Sequence, residues 1–167
     1  METQLAALEA ALRHEAAAYQ VLVNRLPFKL ALIRKNRVDQ LEHLTRQEEA
    51  DLARLLGFER ERLESVHAIL GALPAGTEPS LAGILPHLSA DWRSRLAPLG
   101  DRLRDLVGAL REGHETCRVL LKASLEYVDI TMQLVSRTVA NAQPLLYGGA
   151  DEETPLHSPS LLLDRRA

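Results

Sequence analysis

The feature that most constrains this chain is an apolar stripe running through the stretch from about Asp91 to Asn141. Leu96, Leu99, Leu103, Leu106, Leu110, His114, Cys117, Leu121, Ser124, Val128, Met132, Val135 and Val139 follow one another at steps of three and four. Such spacing puts them on one side of an α-helix. The four-residue step at His114 moves the average from 3.5 toward 3.6, which suits a straight bundle helix better than a long zipper. Roughly 50 helical residues would span on the order of 75 Å.

The two halves of this stretch differ. Before His114 the other faces carry Arg102, Arg104, Asp105, Arg111 and Glu112. After it, Arg118, Lys122, Glu126, Asp129, Gln133 and Arg137 form one thin polar line. Val119, Leu120, Leu125, Tyr127, Ile130 and Leu134 widen the apolar arc around the rest of the circumference. A helix apolar over so wide an arc needs cover on two sides. Two neighbours from the same chain could supply it, or part of the arc could be left for a partner protein. On the second reading the partner stripe is Leu120, Tyr127, Ile130 and Leu134, with Leu145 to Tyr147 as a second candidate.

Composition fixes the class. The chain has 167 residues, enough for one domain with a real core. Hydrophobic residues make up 46% and aromatics 4%, so the core must be built from Leu, Ala and Val, the profile of an all-α fold. A net charge of −3 with both signs mixed gives no pull toward nucleic acid or an anionic membrane. No apolar run approaches spanning length, so membrane insertion is not expected. Cys117 is the single cysteine, which rules out an internal disulfide and fits a reducing cytosol. Met1 to Leu5 show no basic segment followed by an apolar one, so a secretion signal is not expected.

Two further helices precede the long one. Leu5, Leu8, Leu12, Glu15, Tyr19, Leu22, Leu26, Leu30 and Ile33 predict a first helix over about 3–35, with Thr3 as its cap and a kink or break at Pro27. Asn36 suits the left-handed residue of a tight helix-helix turn. Leu41, Leu44, Glu48, Leu52, Leu55, Glu59, Leu63, Val66 and Leu70 predict a second helix over about 38–73, antiparallel to the first. Gly71 to Ser80 is a loop, and a short helix over 79–88 could be capped by Thr77 or Glu78, with Pro79 in its first turn. Ser89 or Asp91 can cap the third helix, over about 91–141. Pro98 and Gly100 leave Asp101 as an alternative start, and Gln143-Pro144 should end it. The expected architecture is a three-helix bundle over 1–148, and 149–167 should be a disordered tail.

Catalytic and metal chemistry lack their parts. A di-iron bundle needs two Glu-x-x-His pairs plus two further glutamates, and only Glu64-Ser65-Val66-His67 matches. His114 and Cys117 share a face but have no third orienting group and no oxyanion loop, so they are expected to be semi-polar core positions. Arg34, Lys35 and Arg37 form a solvated turn, and Arg46-Gln47-Glu48-Glu49 and Glu59 to Arg62 form solvated faces. No cofactor is expected, and the chain is not expected to be an enzyme. It should bind protein.

The order of the motifs resembles the FlgN family of flagellar type III export chaperones. Ala31-Leu32 with its polar turn and Leu41-Glu42-x-Leu44-x-x-x-Glu48 are similar to the family's hairpin. Leu120-Leu121-x-x-Ser124-Leu125-x-Tyr127-Val128 and Tyr147-Gly148 follow in the family's order. His114 and Cys117 stand where the family tends to show two asparagines. The resemblance implies a cytoplasmic chaperone that holds hook-associated (hook-filament junction) proteins unpolymerised and delivers them to the export gate. The client's terminal helical segment would pack on the C-terminal helix. The alternative is a generic helical adaptor or a self-associating coiled coil, for which a second copy of the chain is the partner.

Overall fold

The computed structural model describes residues 1–146, with side chains as far as Val139. The tail expected over 149–167 and the residue Tyr147 lie outside the described residues. The elements are α1 (Glu2–Arg34), α2 (Val38–Leu70), α3 (Leu81–Ile84), a 3-10 turn (Leu85–His87) and α4 (Ala90–Leu146). Among the described residues there is no strand, and the protein is an all-α helical bundle.

The chain divides into two compact units, Met1–Leu125 and Glu126–Ala167. In the first, α1 and α2 form a hairpin closed by Lys35 to Arg37. Asn36 takes a φ of 51°, the left-handed conformation expected of it. Chain direction follows from which residues meet. Leu5, Leu8 and Leu12 share one core cluster with Val66 and Ile69, so α1 and α2 run antiparallel. The same cluster takes in Ile84, Leu88, Trp92 and Leu96. A second cluster joins Leu22, Leu26, Ile33 and Leu55 to Leu110 and Cys117. Early residues of α1 thus meet early residues of α4, and later meet later, so the two run parallel. In the second unit, the described residues from Glu126 to Leu146 belong to α4.

Several local features differ from the sequence expectations. Met1, not Thr3, precedes the first turn of α1, and no side chain caps it. Pro27 sits inside α1 without ending it, the missing donor being a single bond in a helix held on both sides by buried Leu22, Leu26, Leu32 and Ile33. The cap of α3 is Ser80, whose Oγ accepts the Gly83 N–H at 3.0 Å. Ser80 stands two residues beyond Glu78 and three beyond Thr77, and Pro79 precedes the helix instead of lying in its first turn. The long helix starts at Ala90, where the Ser89 Oγ accepts the Trp92 N–H at 3.4 Å. Trp92 and Leu96 are buried in the first cluster and hold the turns before Pro98 and Gly100 in helix. At its far end α4 passes Pro144 and reaches Leu146.

His114 is exposed, whereas Cys117 is buried. The core seam passes through Gly113 instead, because a Cβ there would fall 2.3 Å from Leu26 Cδ1. Bare backbone at Gly113 lets α1 approach and turns the imidazole outward. Gly113→Ala should therefore destabilise by about 1–3 kcal/mol through overpacking, beyond its helix-propensity gain. At Gly108 nothing among the described residues lies within 4 Å of the place an added Cβ would take, so Gly108→Ala should stabilise by roughly 0.5–1 kcal/mol. Urea unfolding midpoints of the two variants should move in opposite directions.

Ion pairs interlock the helices. Glu48, which the sequence places both in the stripe of α2 and in a solvated run, is buried as the stripe implies and receives Lys29 from α1. Arg25 pairs with Asp51, and Arg95 of α4 pairs with Glu9 of α1. Arg62 of α2 donates to buried Glu15 of α1 at 2.7 Å. Burial raises the Glu15 carboxyl above its usual range, and the Arg62 hydrogen bond offsets this only in part. A folded value above the unfolded one means that the native state binds this proton more tightly. Stability from Glu15 is thus greatest at low pH and falls as pH rises through and past the ordinary carboxylate range. Glu15→Gln cannot ionise. Its melting temperature relative to the native chain should climb with pH across that window, whatever its constant offset.

Candidate functional site

Among the described residues, reactive groups do not converge. Among the described residues, no three His, Cys, Asp or Glu side chains come together as a metal site. Glu64 is spent on Arg60, its neighbour one turn away. Burial raises the Cys117 thiol above its ordinary value, the opposite of what a nucleophile needs. A cleft beside α3 is lined by Leu12, Leu81, Leu85 and Leu103 with Arg62 and Arg104. Both cations are already engaged, Arg62 by Glu15 and Arg104 by Asp101 at 2.7 Å.

Among the described residues, the apolar face of α4 past Cys117 is uncovered. Leu96, Leu106, Leu110 and Cys117 are buried. Beyond them every side chain from Leu121 to Val139 is exposed. The helix has 57 residues against 33 in each of α1 and α2, so it has turns to spare. Of the expected partner stripe, Tyr127 is 72% exposed, Ile130 57% and Leu134 58%. Leu120 differs: it is half-buried and packs against the second core cluster, so the bundle itself uses it. Leu145 lies within the span of α4, but its side chain is outside the described residues, as is Tyr147 altogether.

The stripe expected to be core throughout also changes role past Cys117. Leu121, Val128, Met132, Val135 and Val139 are exposed, together with Leu125. At roughly 100° per residue, Tyr127, Ile130 and Leu134 lie about 100–160° around the helix from Val128. Two separate apolar rows are therefore open on one helix. The sequence signal for the second opening is the difference in length between the long stripe and the two shorter ones. Polar chemistry on this segment is local: Gln133 donates to Asp129 at 3.0 Å and Arg118 pairs with Glu115 at 2.7 Å.

The described residues form an all-α bundle whose longest helix carries exposed apolar side chains past Cys117. The model of the FlgN protein family matches residues 1–155, and this chain belongs to that family. Membership supports a role as a flagellar export chaperone, a class defined by binding and not by catalysis. Neither the curated proteins nor the solved structures include a match to the chain. No helix among the described residues is long and apolar enough to cross a membrane.

Proposed function

We propose that this protein is a cytoplasmic chaperone for flagellar hook-associated proteins. It holds a client's terminal helical segment on the Tyr127, Ile130 and Leu134 face of α4, keeps the client from polymerising early, and delivers it to the type III export gate. The observation that carries this reading is the exposure of those three large side chains on a FlgN-family chain. Leaving such groups in water forgoes roughly 1.5–3 kcal/mol of burial for each, which an amphipathic helix seated on them would recover. Anchors at i, i+3 and i+7, here Tyr127, Ile130 and Leu134, match the way a helical ligand is gripped.

The test uses the full chain and purified hook-associated proteins. Titration calorimetry should show saturable binding, and light scattering should show that the chaperone suppresses client self-assembly. A client lacking its terminal helical segment should not bind. If none of the hook-associated proteins binds, the reading fails and a generic adaptor role takes its place.

A further inference from the structure

The face of Tyr127, Ile130 and Leu134 has one charged edge. From Glu126 to Arg137 the helix makes about three turns, so the two residues stand on one line of α4, roughly 16 Å apart. That line passes within about 40° of Ile130, on the side away from Tyr127. Both charged side chains are exposed, and both belong with the three apolar residues to the second compact unit. The polar contacts nearest them on this helix, Arg118 with Glu115 and Gln133 with Asp129, leave both out. One turn either side of Arg137 stand Gln133, Leu134, Ala140 and Asn141, so its own helix supplies no acid to pair with it. Lys122 stands a turn before Glu126, and among the described residues no ion pair joins them.

The opposite edge is uncharged. Thr131 and Thr138 line it, and each hydroxyl donates to a carbonyl of its own helix, Thr131 to Tyr127 at 2.8 Å and Thr138 to Leu134 at 2.9 Å. A ligand on this face therefore meets an anion at one end of a single edge and a cation at the other. Charges so placed fix the direction and register of what docks there more than its affinity.

We propose that the client's helical segment lies antiparallel to α4, with an acid in its first turns beside Arg137 and a base three turns later beside Glu126. This deepens the reading above and rests on it. Complementarity to the two charges requires one acid and one base on the client. The helix macrodipole sets their order, because a helix is stabilised by acids near its start and bases near its end. A segment with that order meets Arg137 first and Glu126 later only if it runs against α4. The guanidinium of Arg137 also suits a carboxylate, which it can grip through two parallel hydrogen bonds.

Two synthetic peptides test this on the full chain. Both are helices of about five turns with the same apolar anchors. One carries Glu near its start and Lys three turns later; the other carries Lys at both places. The native chain should bind the acid-first peptide about fivefold more tightly, and Arg137→Glu should reverse the preference by a similar factor. Reversal separates pairing from any difference in the peptides' own helicity. Both preferences should flatten in about 1 M salt, where the screening length is about 3 Å. A photocrosslinker on the first residue of the acid-first peptide should attach to the native chain near Arg137 and not near Glu126, a readout that needs no variant. Equal binding of the two peptides, a preference that survives Arg137→Glu, attachment near Glu126, or no binding of either peptide overturns the inference. None of these results touches the chaperone reading itself, which stands or falls on whether whole hook-associated proteins bind.

Discussion

Replacing Tyr127 and Leu134 together with aspartate is expected to cut client affinity by about thirtyfold to a thousandfold, since each lost anchor is worth about 1–2 kcal/mol. The fold should survive. Both side chains are exposed, and exposed substitutions away from special features usually stay within about 0.5 kcal/mol. Circular dichroism and thermal melting separate the outcomes. A variant that keeps its helix signal and loses the client supports the face assigned here. One that unfolds places these residues in a core, and one that binds at full strength puts the client elsewhere on the chain. Val128→Asp with Met132→Asp is the internal control, because those residues lie on the other row and should leave client binding unchanged.

The other large effect belongs to the first core cluster. Leu8 and Ile69 are each 0% exposed, and they join α1 to α2 where Ile84, Trp92 and Leu96 close over them. Leu8→Ala or Ile69→Ala should each cost about 2–5 kcal/mol, the lost transfer energy plus the cavity left behind. Leu125→Ala removes the same atoms as Leu8→Ala from a side chain that is 70% exposed, so denaturant unfolding should barely register it. One chemical change on the apolar positions of two helices should thus differ several-fold in its cost.

That contrast marks what the sequence can convey. Periodicity identifies the three long helices, and Asn36 announces the hairpin turn, because both signals are local and steric. Periodicity says that a face is apolar; it does not say what covers it. The row from Leu121 to Val139 is therefore continuous in pattern with the core row before it, although the helices able to cover it are 24 residues shorter than α4. The same pattern draws His114 into the seam for a related reason. An apolar template has no place for Gly113, whose contribution is the absence of a side chain. Glu48 falls in the stripe of α2 by its spacing, but only the fold brings Lys29 beside it from 19 residues away. The stripe proposed for the client is legible as excess apolar arc, and of its described side chains the bundle engages Leu120.

The two core clusters each hold a residue that occurs once in the chain. Trp92 is the single tryptophan and lies in the cluster around Leu8 and Ile69, its indole N–H donating to Glu2 at 3.1 Å and the Arg95 guanidinium stacked 4.1 Å from its ring. Cys117 is the single cysteine and lies in the cluster around Leu22 and Leu55. Indole emission and thiol accessibility are thus two native reporters, one for each half of the interior, and neither needs a label. If the bundle melts all at once, fluorescence change and thiol exposure will share a midpoint. If the ends open separately, the thiol and the indole will report different free energies, and the order of opening can be read from the unaltered protein.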